Sequence, residues 1–102
     1  MKITISKSQI SNTELAIRRC GYGRLSSRMS REVSYVRRIR RDLYPRFHVY
    51  IKTEGERVVL NLHLDQRAPV YAGVTAHAGE YEGEVVEREG ERIKVILEKE
   101  NL

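Results

Sequence analysis

Apolar and polar residues alternate most regularly between positions 46 and 65 of the chain. The apolar residues fall on every second position, Phe47, Val49 and Ile51 in a first run and Val58, Leu60, Leu62 and Leu64 in a second. A period of two is typical of strands that bury one face and leave the other to water. The segment between the runs, TEGE at 53–56, contains a glycine suited to a tight turn. The pattern therefore predicts a β-hairpin with Phe47 opposite Leu62, so that apolar residues face each other along the ladder.

The same register predicts an unusual polar face for this hairpin. It sets His48 opposite Asn61 and Arg46 opposite His63. The two histidines are then diagonal neighbours on one surface, with backbones about 7–8 Å apart. Histidines on a sheet face can bind metals or transfer protons.

Shorter patterns predict the N-terminal elements. Residues 2–6 alternate like a short edge strand. Ser11 and Glu14 match the S-x-x-E capping box, which predicts a helix over residues 12–20 that stops at Gly21. The apolar side of this helix consists of Leu15, Ala16 and Cys20. We interpret the cysteine as a packing residue, since no second cysteine and no nearby histidine could activate its thiol.

The rest of the chain contains a glycine- and serine-rich segment and two segments that are ambiguous between helix and strand. Residues 22–34, rich in glycine and serine, predict a loop or an irregular strand. Residues 31–43 fit a helix or a strand, and their β-branched and aromatic residues favour the strand. After a long loop at 66–78, residues 79–102 have the apolar stripe of a helix, although a second hairpin within 84–97 is an alternative. The apolar stripe consists of Val86, Ile93 and Leu97.

These elements predict a single α+β domain over residues 1–102. Its sheet is mostly antiparallel with three to five strands, and two helices pack on the apolar face. A chain of 102 residues supplies one modest core, and no apolar run is long enough to span a membrane. The single cysteine allows no internal disulfide, and the N-terminus lacks the apolar segment of a signal peptide, so we expect a cytoplasmic protein.

Charge is distributed unevenly along the chain. The net charge is +5, but residues 1–52 contain 13 Lys or Arg against three Asp or Glu, and residues 53–102 contain six against 11. Such asymmetry indicates a basic surface for a polyanion, RNA or DNA, and predicts nucleic-acid binding. The predicted binding residues are Arg37, Arg38, Arg40, Arg41 and Arg46. An alternative is a homodimer that pairs opposite charges, without any chemistry.

A second hypothesis concerns metal-dependent hydrolysis. His63-x-Asp65 puts two ligating side chains on one strand face, and His77 with Glu80 does the same on one helical turn. If the intervening loop folds back, these four residues form a catalytic group. His63, Asp65 and His77 would hold a divalent metal such as zinc or manganese. The same groups could instead perform acid–base chemistry without metal, with His48, Tyr50 and Tyr81 around them. Phosphate-binding loops, dinucleotide-binding fingerprints and nucleophile elbows are absent from the sequence.

Three motifs carry a resemblance to a known family. YPRFHVYI at 44–51, LNLHLDQ at 60–66 and HAGEYEG at 77–83 resemble those of a small uncharacterised prokaryotic family of single-domain proteins. The family has no assigned activity, so the resemblance implies only that these segments, with their histidines, are its recognisable part.

The order of elements is also similar to that of the HicA-type toxins. Those proteins have a small α-β-β-β-α fold like that of double-stranded-RNA-binding domains, and they cleave RNA. Here a helix around residues 14–23 is followed by a basic segment, a hairpin and a final helix. The toxins carry a catalytic Gly-Ser-His before the second strand, whereas the corresponding stretch at 30–38, SREVSYVRR, has no histidine. The resemblance therefore implies a related fold without that catalytic route.

Overall fold

The computed structural model describes residues 1–26, 33–66 and 78–100, without the side chains of 78–82 and 100, and shows a sheet packed against two helices. In chain order the elements are β1 (Lys2–Ser6), a short 3-10 helix (Lys7–Gln9), α1 (Thr13–Arg19), β2 (Gly23–Leu25), β3 (Ser34–Arg38), β4 (Arg46–Glu54), β5 (Arg57–Asp65) and α2 (Ala78–Glu100). The strand order is β1-β5-β4-β3-β2, and every neighbouring pair is antiparallel. The predicted α+β fold is confirmed.

Strands β4 and β5 form the predicted hairpin, but their register differs from the prediction by two residues. Phe47 lies opposite Leu64 rather than Leu62. The loop consists of Gly55 and Glu56, and Gly55 alone has a positive φ, +61°. This is the combination expected for a two-residue type II′ turn. Because a shift of two residues keeps each side chain on its own face, the apolar face was predicted correctly and only the cross-strand partners were wrong.

Helix α1 begins at Thr13, one residue later than predicted. The side-chain oxygen of Asn12 accepts a hydrogen bond from the backbone N–H of Leu15 at 3.0 Å, so Asn12 and not Ser11 caps the helix. Leu15 was predicted to face the core but is 45% exposed. The buried residues at this helix are Ala16, Ile17 and Cys20.

The predicted stop of α1 at Gly21 is confirmed. Gly21 has a φ of +95°, and its N–H donates to the carbonyl of Arg18 at 3.0 Å. The N–H of Tyr22 donates to the carbonyl of Ile17 at 3.3 Å, which completes a Schellman motif. Cys20 is buried beside this turn, and burial raises the pKa of its thiol. The motif directs the chain from α1 into β2.

The two ambiguous segments are settled where the structure describes them. Ser34–Arg38 is a strand, as favoured within residues 31–43, and the chain then bends into β4. Ala78–Glu100 is one continuous helix, so the alternative hairpin at 84–97 is wrong. The predicted loop at 66–78 lies almost wholly outside the described residues, since only its two end residues are described. No helix in the described ranges is long and apolar enough to cross a membrane.

One hydrophobic core lies between the sheet and the helices. Val49, Leu60 and Leu62 from the central strands are almost fully buried, as are Ile17 of α1 and Ile93 of α2. The apolar stripe predicted for the last helix is buried in this core as well. Burying each large aliphatic side chain stabilises the fold by about 1.5–3 kcal/mol. The core therefore fixes which face of the sheet the helices cover.

A buried cluster of charged and polar side chains connects α2 to the end of α1 and to β3, on the side of the sheet that faces the helices. Glu89 accepts hydrogen bonds from the Tyr22 hydroxyl at 2.5 Å and from two nitrogens of Arg92 at 2.7 and 2.9 Å. Arg92 also donates to the carbonyl of Cys20 at 2.5 Å, and Arg37 of β3 approaches Glu89 to 3.5 Å. Burial and the bond to Glu89 raise the pKa of Tyr22, so this hydroxyl stays protonated at neutral pH. The cluster links α2 to the end of α1 and to β3.

Candidate nucleic-acid interface

We call the side of the sheet opposite α1 and α2 the open face. The buried residues of both helices belong to the same core cluster as the inward-facing strand residues, so both helices pack on one side. The open face is formed by the alternate strand residues. These are Lys2, Thr4 and Ser6 of β1, Gly23 and Leu25 of β2, Ser34, Val36 and Arg38 of β3, Arg46, His48, Tyr50, Lys52 and Glu54 of β4, and Arg57, Val59, Asn61, His63 and Asp65 of β5.

The strand register aligns these side chains in rows across the sheet. Three successive rows are Arg38–Arg46–Asp65, Val36–His48–His63 and Ser34–Tyr50–Asn61–Lys2. Neighbouring rows lie two residues apart along the strands, which is about 7 Å. His48 is therefore directly opposite His63, and the diagonal arrangement predicted for the two histidines is wrong. This pairing brings the polar groups closer together than predicted.

His48 and Asp65 form the best-defined contact on the open face. The Nδ1 atom of His48 lies 2.9 Å from a carboxylate oxygen of Asp65, and Nε of Arg46 donates to the same oxygen at 3.3 Å. The hydrogen bond from His48, together with the nearby charge of Arg46, holds the pKa of Asp65 below its usual range. Asp65 is then ionised at neutral pH and can only accept, so Nδ1 of His48 carries the proton.

The other ring nitrogen of His48 is in an unusual position. The His48 residue is only 6% exposed, and its Nε2 atom is buried without a hydrogen-bond partner in the described chain. A carboxylate that fixes the tautomer of an imidazole leaves the second nitrogen as a proton acceptor.

Aromatic rings surround this pair. The Tyr50 ring stacks on the His48 ring with centroids 4.4 Å apart and 25° between the planes. Tyr50 also meets His63 edge-to-face at 5.7 Å. The guanidinium of Arg46 lies 4.5 Å from the centroid of the Tyr44 ring, a cation–π contact. These contacts bring four rings and one guanidinium together on the open face and beside it.

The predicted nucleic-acid-binding arginines separate into two groups. Arg38 and Arg46 lie in one row of the open face, and Arg40 and Arg41 are exposed on the connection from β3 to β4 at the same end of the sheet. Arg37 lies on the opposite side of β3, where it approaches Glu89 and lies 6.0 Å from the centroid of Phe47. Four of the five arginines are thus placed at the open face or beside it, and Arg37 belongs to the core side.

The predicted metal and catalytic residues are described only in part. His63 and Asp65 lie on the open face as predicted, but the contacts of Asp65 are with His48 and Arg46. His77 lies outside the described residues, and Glu80 lies in α2 with no described side chain. Within the described ranges, no group of three or more His, Cys, Asp or Glu side chains could hold a metal ion. The hydrolase hypothesis for these four residues stays a prediction.

The sequence prediction missed the central position of His48, which it assigned only to the surroundings of the site. The error came from the hairpin register, because the predicted turn placed Gly55 at the second loop position. Glycine at the first position of a two-residue loop is typical of type II′ turns. That signal would have put Arg46 opposite Asp65, and His48 within reach of the same carboxylate.

The comparisons with known proteins give no match to this chain. No protein-family model, no curated protein and no solved structure is similar to it. The resemblances of its motifs therefore stay predictions, and its function has to be inferred from the chemistry of the open face.

Proposed function

We propose that this protein binds single-stranded RNA on the open face of its sheet. The observation that carries the proposal is the arrangement of that face, where aromatic and imidazole rings lie between cationic side chains. Proteins that bind single strands combine a basic surface along the backbone with rings on which bases stack. Both features are present on the open face within a few rows.

The distribution of charge favours RNA binding on the open face rather than on the side of α2. The described strand residues give the open face five cationic side chains, Lys2, Arg38, Arg46, Lys52 and Arg57, against two acidic ones, Glu54 and Asp65. Helix α2, on the other side, contains eight Glu and four Lys or Arg. A polyanion is therefore attracted to the open face and repelled by α2.

The rings favour an unpaired strand over a duplex. The Tyr50 and His63 rings lie in two adjacent rows on a sheet surface, where bases that are not stacked in a helix can reach them, and the buried His48 ring supports Tyr50. Stacking of a base on an aromatic side chain contributes about 1–3 kcal/mol. A duplex keeps its bases stacked inside and can use only the cationic side chains, so we expect it to bind more weakly.

Binding to fluorescently labelled single-stranded RNA, measured by anisotropy over a range of salt concentrations, tests the proposal. We expect affinity to fall steeply with salt, and the variant with Arg38, Arg40 and Arg41 replaced by Gln to lose affinity at low salt. Each lost phosphate contact lowers the slope of log K against log salt by about 0.7, so the triple variant should lower it by up to about 2.

The matched control is Arg88→Gln, which removes an exposed arginine from α2 that pairs with Glu84. This variant should bind RNA like the wild type. An absence of salt-dependent binding at low salt would contradict the proposal, and so would equal losses in the triple variant and the Arg88 control.

A further inference from the structure

Beside the ring cluster, the open face contains a depression of about 410 Å³. It is lined by Lys2, Tyr50, Ile51, Lys52, Glu54, Val59 and Asn61. The depression lies toward the hairpin turn, away from the row of Arg38 and Arg46. Among its lining residues, only Tyr50 was predicted from the sequence to lie beside the acid–base groups.

We propose that this depression is a nucleobase subsite, which holds one unpaired base of a bound RNA strand against Tyr50. The proposal rests on the proposed function and deepens it, because it separates recognition of a base from attraction of the backbone. The base lies along the Tyr50 ring, its polar edge meets Asn61, and the adjoining phosphates lie near Lys2 and Lys52. Three features of the depression carry the inference.

The first feature is that the Tyr50 ring is already fixed. It stacks on His48 at 4.4 Å and contacts the edge of His63 at 5.7 Å, and His48 is in turn held by Asp65. A ring that is ordered before binding loses little conformational entropy when a base packs against it. Tyr50 is thus a preorganised stacking surface.

The second feature is an amide placed beside that ring. Asn61 is the direct cross-strand partner of Tyr50, so their Cβ atoms lie about 5 Å apart. The Asn61 side chain offers both donors and an acceptor, and the edges of all four bases present adjacent donors and acceptors. A base that packs against Tyr50 therefore places its edge within reach of the Asn61 amide.

The third feature is a pair of lysines on two sides of the depression. Lys2 lies opposite Asn61 on the edge strand, and Lys52 lies one row beyond Tyr50. Lys52 pairs with Glu54 at 3.5 Å, but both side chains are mostly exposed, and such pairs contribute little. Both ammonium groups can therefore turn to the phosphates on either side of the seated base.

RNA strands with abasic positions test the subsite, because they keep every phosphate and differ only in the bases that are present. The probe is a short labelled single strand with one nucleobase flanked by abasic positions, compared with the fully abasic strand. For the wild type we expect the strand with the base to bind about 5- to 150-fold more tightly, the range that corresponds to one stacked base. Tyr50→Leu should lower this ratio to near one.

Asn61→Asp provides a second variant that does not depend on the ring. It is isosteric and removes the two amide donors, so it should change the order of preference among the four bases while the protein stays folded. Lys94→Gln, an exposed lysine of α2 that pairs with Glu91, is the matched control and should leave the ratio and the preference unchanged.

The outcomes separate the two proposals. Equal binding of the abasic strand and the strand with one base overturns the subsite and leaves RNA binding by the open face in place. Base-dependent binding that neither Tyr50→Leu nor Asn61→Asp alters also overturns it, since the base would then lie elsewhere. Failure of the wild type to bind any of the strands overturns the proposed function itself.

Discussion

Asp65 accepts hydrogen bonds from two side chains of the neighbouring strand, His48 and Arg46, and so organises the open face. Its carboxylate fixes the His48 ring, and the His48 ring supports Tyr50. A single carboxylate thus helps to set the position of the Tyr50 ring. Replacing it should affect stability and ligand binding together.

The pH dependence of stability tests the role of Asp65. Because the folded state holds the pKa of Asp65 below its usual value, the unfolded state binds the proton more readily. The stabilisation is complete above the unfolded pKa of about 3.9 and is lost as the pH falls through the lower folded pKa. We expect the free energy of unfolding, measured by urea denaturation, to fall from about pH 5 downward and to fall less in Asp65→Asn. Parallel curves for the two proteins would contradict this role.

At the scale of helices and strands, the polar contacts that position α2 converge on Glu89. The Glu89 side chain is 4% exposed. It accepts hydrogen bonds from Tyr22 and Arg92 and forms an ion pair with Arg37. Removing one partner of a buried ion pair costs more than the pair contributes, because the remaining charges lose their compensation. We therefore regard this cluster as the main polar contact between α2 and the rest of the fold.

Glu89→Gln should lower the free energy of unfolding by about 2–3 kcal/mol. We expect a smaller loss than for a fully buried ion pair, because Arg37 and Arg92 keep about a third of their side-chain surface exposed. The control is Glu84→Gln, which removes an exposed carboxylate from the same helix and should change stability by less than about 1 kcal/mol. Chemical denaturation measures both values. Similar losses in the two variants would show that the buried cluster has no special role.

The strands could be predicted because a period of two identifies the buried face of a strand even when the predicted register is wrong by two residues. The apolar faces of β4 and β5 are correct even though their register is wrong by two residues, since both registers pair apolar with apolar. The cap of α1 was uncertain for a related reason. Ser11 and Asn12 are both good capping residues, and the sequence pattern alone does not decide between them.

The candidate site could be predicted only as a face. Alternation was enough to place His48, His63 and Asp65 on one surface, but the His48–Asp65 bond depends on the register and was missed because the predicted register was wrong by two residues. The prediction for Arg37 was limited in a similar way, because it rested on charge alone, and charge does not show on which face of a strand a residue lies. In the fold it lies on the core side of β3 and approaches Glu89.

Over the part of the molecule that the structure describes, the strand residues of the open face include more cationic than acidic side chains, and α2 contains more Glu than Lys or Arg. The basic open face and the acidic α2 explain how a chain with a net charge of +5 can direct a polyanion to one side. The same asymmetry underlies the homodimer predicted from the sequence, which stays a prediction. RNA binding and self-association can be distinguished at the open face, because only RNA binding requires its rings to contact a base.

The most direct test of RNA binding on the open face is an NMR titration that follows the aromatic ring signals of the protein. Single-stranded RNA should shift the ring signals of Tyr50 and His63, which lie on the open face, and leave those of Tyr22 and Tyr35, buried beneath the helices, nearly unchanged. Variants Tyr50→Phe and His63→Gln assign the signals. Shifts confined to Tyr22, Tyr35 or the residues of α2, with Tyr50 and His63 unaffected, would contradict binding at the open face.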